Sequence, residues 1–117
     1  MTRWDDIHTI YNAPTFAINN GSIVRVRVDL DKNLDDDEKE FLSSFIDSWT
    51  FPKDGKYINP FKVLNFYLND NFFEVEIKYR KKDKEIDELK LFCQDLMHYL
   101  NYYRFHLIKW DCMLLSE

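Results

Sequence analysis

The 117-residue sequence predicts an α+β domain in which two helices cover one face of a four-stranded antiparallel sheet, with an extra segment ahead of the first strand. Three observations predict it. The stretch 61–82 is two alternating apolar runs separated by Asn69-Asp70-Asn71, a hairpin signal, since Asn and Asp tolerate the positive φ of tight turns. A third alternating run, SIVRVRVDLD, precedes it at 22–31. Two segments with 3.6-residue apolar spacing fall between the strands.

Residues 1–21 form the extension. Trp4, Ile7, His8 and Tyr11 follow helical spacing, with Thr2 as N-cap and Asp5 three residues on, so a short amphipathic helix is expected before Pro14. Residues 15–18 read as a short extended piece, and Asn19-Asn20-Gly21 as a turn. In the first strand Val24, Val26, Val28 and Leu30 share one face, and Arg25, Arg27 and Asp29 the other. A helix then starts within Asn33–Asp37, because acids in a first turn satisfy free N–H groups and complement the helix dipole. Its apolar stripe is Phe41, Leu42, Phe45, Ile46 and Trp49. Residues 50–60 are a loop punctuated by Pro52, Asp54-Gly55 and Pro60.

In the second hairpin strand Phe73, Val75, Ile77 and Tyr79 face one way, and Phe72, Glu74, Glu76, Lys78 and Arg80 the other. A long helix from about Asp83 to Tyr102 carries the stripe Ile86, Leu89, Cys93, Leu96, Met97 and Leu100. The last strand runs from about Tyr103 to Trp110, with Phe105 and Leu107 inward and Arg104, His106, Ile108 and Trp110 on the open face. Residues 111–117 are a tail, so the core spans 22–110. The order β-α-β-β-α-β is that of the ferredoxin-like split βαβ arrangement. It places the first strand between the third and fourth, with Arg25 and Arg27 beside Glu74 and Glu76 on the open face.

Composition narrows the function. The chain is 45% hydrophobic with 17% aromatics, enough for a core without staples. No apolar run reaches the length of a membrane span, and the N-terminal stretch lacks the apolar centre of a secretory signal. Cys93 and Cys112 read as two reduced thiols, so a cytoplasmic setting is expected. Net charge is −5, and Asp29–Glu40 alone holds seven acids against two lysines, which equals that figure. Arg80, Lys81, Lys82 and Lys84 make a basic counterpart, so the molecule should be bipolar.

Asp29, Asp31, Asn33, Asp35, Asp37 and Glu40 fall at the ligand spacing of an EF-hand calcium loop. Leu34 stands where that loop needs glycine, and a strand precedes it, so calcium binding is a minor alternative. RNA or single-stranded DNA could use Arg25, Arg27, Tyr67, His106 and Trp110, but Glu74 and Glu76 in mid-face would repel phosphates. Catalysis has little support. His8, His98 and His106 form no metal-ligand motif, two glycines cannot make a phosphate loop, and no cofactor motif occurs.

Protein recognition remains, through two candidate surfaces. One is the acidic cluster Asp35, Asp36, Asp37 and Glu38, which suits a basic partner. The other is the open sheet face, with Arg25, Arg27, Val63, Tyr67, His106, Ile108 and Trp110, which could also serve a homodimer. The expected function is a non-catalytic inhibitor of the immunity-protein or phage anti-defence type, neutralising a basic nuclease or toxin.

Overall fold

The structure is a computed structural model and describes residues 10–116. In chain order the elements are β1 (Ile23–Leu30), α1 (Asp36–Ser48), β2 (Phe51–Lys53), β3 (Lys56–Ile58), β4 (Phe61–Leu68), β5 (Phe72–Tyr79), α2 (Glu88–Tyr102) and β6 (Leu107–Ser116). The long strands form one sheet in the order β4-β5-β1-β6, with every neighbouring pair antiparallel. This α+β arrangement is compatible with the ferredoxin-like one, with the β2–β3 hairpin added between α1 and β4. Most of the proposed N-terminal helix lies outside the described residues.

The core follows from strand alternation. Val24, Val26 and Val28 of β1 and Phe73 and Val75 of β5 are fully buried on one face of the sheet. The helices bring Leu42 and Ile46 from α1, and Leu89, Phe92, Cys93, Leu96 and Leu100 from α2. Phe92 is the centre of the aromatic packing. Its ring lies 5.1 Å from Trp49, 6.0 Å from Phe61, 6.2 Å from Phe45 and 6.1 Å from Trp110. It was legible as the i+3 neighbour of Leu89 but is missing from the stripe named above. Phe41, placed in the α1 stripe by spacing, instead faces solvent at 56% exposure.

Four expectations about the elements need correction. Residues 50–60 contain a hairpin, because Asp54 (φ 52°) and Gly55 (φ 76°) both take the left-handed values of a two-residue hairpin turn. The Asn69-Asp70-Asn71 turn does the opposite and keeps negative φ: apart from glycines, only Asp54 and Arg104 are positive among the described residues. That turn is held by docking, since Leu34 N–H donates to the Asp70 carbonyl and Leu30 N–H to that of Asn71. Helix α2 starts at Glu88 and not near Asp83. The Asp83 carboxylate accepts from the N–H groups of Glu85 and Ile86, a local turn that competes with helix, and Asp87 becomes the N-cap. Residues 111–116 are no tail but the second half of β6, pairing with Ile23–Arg27 of β1.

The last correction matters most for function. Leu30 pairs with Leu107 and Asp29 with Lys109, so Ile108 is an extra residue in β6. A bulge of this kind reverses the alternation beyond it. Trp110 therefore pairs with Val28 on the helix-covered face and is 1% exposed. A second bulge in β4 has the same effect. Val63 pairs with Ile77, and Asn65 with Glu76, so Leu64 is the extra residue. Val63 faces the helices while Tyr67 faces solvent opposite Glu74, although sequence parity put both on the open face.

Candidate partner-binding surface

The two ends of β1 carry the two charged segments. At its C-terminal end lies the acidic turn of α1. Asp35 is the N-cap, its carboxylate accepting from Glu38 N–H at 2.8 Å while Glu38 Oε1 accepts from Asp35 N–H at 2.9 Å. This reciprocal capping box ties down Asp35 and Glu38 and leaves Asp36, Asp37 and Glu40 exposed. Lys39 folds away to Asp70 at 3.0 Å, so it does not neutralise them.

Beside this turn, the C-terminal end of α2 adds aromatic surface. Tyr102 is 79% exposed and Tyr103 38%, and the Phe41 and Tyr103 rings lie 6.1 Å apart and within 19° of parallel. Tyr99 lies 5.0 Å from Tyr103 and 4.7 Å from Phe45, and burial, with Tyr103 nearby, pushes its phenol up to about 12. The sequence placed Phe41 in the core stripe and did not single out Tyr103. The usable signal was Phe41 lying three residues beyond Glu38, one helical turn along the acidic face.

At the other end of β1, Tyr79 N–H donates to the Ser22 carbonyl and Lys82 N–H to the Asn20 side chain, which brings the basic segment here. One of its cations is internal. Lys82 Nζ lies 2.8 Å from the buried Glu88 carboxylate and donates to the carbonyls of Asp83 and Ile86. Arg80, Lys81 and Lys84 are exposed. Lys53 of the β2–β3 hairpin bonds to Asp83, and this contact, then the Glu85 N–H, brings the Asp83 carboxyl down to about 2.

The open sheet face is mainly charged and internally paired, with Met113, opposite Arg25, exposed on it. Arg25 reaches Glu76 at 2.6 Å, and Asn65 donates to the other oxygen of Glu76 at 2.7 Å. The bond from Arg25, then that from Asn65, holds the Glu76 carboxyl below its ordinary range. Arg27 bonds to Asp29 at 3.2 Å and lies 4.0 Å over the Phe72 ring. Both arginines thus already have partners on this face. Tyr67 is the face's exposed aromatic in β4.

The remaining candidates separate. His106 does not sit near Glu74 or Glu76. It lies before β6 and pairs with Asp31 through Nδ1 at 2.9 Å and through its backbone N–H at 2.9 Å. Burial alone would raise the Asp31 carboxyl, but the bonds from His106 outweigh it and hold Asp31 low. Trp110 is core. Against it the Tyr11 ring lies tilted at 5.9 Å, and the Tyr11 hydroxyl donates to Asp87, so Ile10, Tyr11, Phe16 and Ile18 pack against the core on the side of β6 and the start of α2.

The EF-hand spacing does not produce a cage. Asp29 is paired with Arg27, Asp31 with His106, and Asp35 caps α1. Among the described residues no three His, Cys, Asp or Glu side chains converge as a metal requires. Cys93 and Cys112 are unbridged, and burial pushes the Cys112 thiol up to about 12, far from a reactive thiolate. No helix among the described residues is long and apolar enough to cross a membrane. No protein-family model matches the chain, and comparison with curated proteins and with solved structures finds no match.

Proposed function

We propose that the protein is a ferredoxin-like domain that binds another protein stoichiometrically and performs no catalysis. In its most concrete form it is a cytoplasmic inhibitor of the immunity-protein or phage anti-defence type, covering a basic nuclease or toxin. One observation carries this reading: exposed Asp36, Asp37 and Glu40 adjoin the exposed rings of Phe41, Tyr102 and Tyr103. Interfaces draw their energy from a few aromatic anchors, while clustered charge of one sign speeds encounter with the opposite sign. Nucleic acid fits this surface poorly, because acids repel phosphates. The open face fits it poorly too, because Arg25 and Arg27 are paired there.

The test is affinity capture from nuclease-treated lysate of the source cells, comparing the parent with a D36K/D37K/E40K variant. These positions lie outside the capping box, so the fold should survive, as circular dichroism would verify. The parent is expected to retain one basic protein whose activity it titrates to zero at equimolar ratio, and the variant to lose it. Capture of nucleic acid alone, or equal capture by both chains, would overturn the proposal.

A further inference from the structure

Strand β4 is an edge of the four-stranded sheet, and among the described residues no strand pairs with its outer side. It carries one charge, Lys62, and no proline, and Leu64 and Tyr67 are 37% and 49% exposed, so its composition does little to blunt it as a pairing template. Two bonds at its ends show which backbone groups it presents. The Pro60 carbonyl accepts from Arg80 N–H, and Asn69 N–H donates to the Phe72 carbonyl, so both residues turn toward β5. Counting inward from each end, Lys62, Asn65 and Tyr67 also turn toward β5, while Phe61, Val63, Phe66 and Leu68 turn outward. The Phe61 N–H agrees, since it donates to the Asn59 side chain and not to β5. The bulge at Leu64 makes the outward step from Val63 to Phe66 three residues instead of two. A bulge ordinarily protects an edge, because a regular incoming strand loses its alignment there. A strand with the same irregularity at the same place keeps it.

We propose that β4 pairs with β4 of a second copy of this chain, antiparallel about a two-fold axis between Leu64 and Asn65. The outward residues are symmetric about that point, so Val63 meets Phe66 of the second copy and Phe61 meets Leu68. Their outward carbonyls and N–H groups then bond across the axis, apart from the Phe61 N–H, which Asn59 already holds. Because the bulge reverses the alternation, the same register also matches faces. Val63 and Phe66, on the helix-covered side, join as an apolar pair over the groove they form with Ser43, Ser44 and Ile46 of α1, with the exposed Asp47 at its rim. Lys62 and Tyr67 lie on the open face, beside Lys78 and Glu74 of β5, and bring an ammonium against a ring. No like charges face each other across the joined strands. Shifting the register by one residue sets Lys62 against an apolar side chain, and by two leaves the backbone of Val63 or Phe66 unpaired.

The experiment is analytical ultracentrifugation of the full chain from micromolar to millimolar concentration, with amide hydrogen exchange followed by NMR at both ends of that range. The mass is expected to rise from 14.3 kDa toward twice that value. The amides of Val63, Phe66 and Leu68 should become protected at high concentration, while that of Phe61 should not change. Y67K sets a lysine opposite Lys62 of the second copy but beside Glu74 of its own chain, so the fold should hold. Association should weaken about tenfold or more, since two symmetry-related contacts turn repulsive at once. K62E/Y67K places opposite charges at the same two positions and should restore it. A chain that stays monomeric at millimolar concentration overturns the proposal. So does a dimer that Y67K leaves intact, or one in which those three amides stay unprotected, because its interface then lies elsewhere. None of these positions belongs to the acidic end, so neither result bears on the proposed function.

Discussion

Arg104 occupies a position that usually belongs to glycine. Helix α2 closes with Arg104 N–H on the Asn101 carbonyl at 3.0 Å and Phe105 N–H on that of Leu100 at 2.8 Å. This is a Schellman closure, which requires the intervening residue to be left-handed, and Arg104 has φ 63°. An L side chain there costs about 1–2 kcal/mol, while glycine adds unfolded-chain entropy worth about 0.4–1 kcal/mol. Arg104→Gly should therefore stabilise the protein by roughly 0.5–1 kcal/mol, the difference of those terms, and raise the melting temperature by a few degrees. An unchanged or lower melting temperature would refute this. Neighbouring residues show what sequence could and could not reveal. The Arg25–Glu76 pair was legible, because strand order and parity determine it. The His106–Asp31 pair was not, because it joins two loop ends whose approach depends on the finished sheet.

Alternation located three of the long strands, the first residues of the fourth and their shared core face, yet it failed where a strand gained one residue. Neither Ile108 nor Leu64 carries a bulge signature such as glycine, so parity carried past them assigned Trp110 and Val63 to the wrong side. The missed β2–β3 hairpin is a different failure, since Asp54-Gly55 did signal the turn and only the shortness of the strands hid it. The bulge gives a sharp prediction. Trp110→Ala should cost about 3–5 kcal/mol, the usual loss for a large buried aromatic. Tyr67→Ala should stay within about 0.5 kcal/mol, as for an ordinary surface site. Trp110→Phe should fall between them, because it keeps an aromatic ring in the same buried site and loses only part of the apolar area. Urea denaturation of the three variants checks the order. Equal midpoints for Trp110→Ala and Tyr67→Ala would place Trp110 back on the surface.

Charge organises the molecule from end to end, and the carboxylates divide into two groups. Asp36, Asp37 and Glu40 remain free for a partner, while Asp31, Glu76 and Asp83 bind the fold at its acidic end, its open face and its basic end. All three of the latter titrate below their ordinary values in the folded chain. A carboxyl depressed on folding contributes stability that is complete above its unfolded value and is lost as pH falls through the folded one. For Asp83 that window runs from about 3.8 down to about 2. Asp83→Asn retains an oxygen for the Glu85 and Ile86 N–H groups but removes the charge facing Lys53. The variant should be less stable than the parent at neutral pH, and the difference should close across that window. Thermal melts from pH 7 to pH 2 measure it. A gap that stays constant to pH 2 would show that the Asp83 charge contributes nothing to the fold. Asp36 and Asp37 also lie in the first turn of α1, where they complement the helix dipole, so D36K/D37K should cost about 0.5–2 kcal/mol of stability at neutral pH while altering partner binding. A melting curve of the variant measures that cost, so a loss of partner binding at a temperature where the variant is still folded reports on the surface alone.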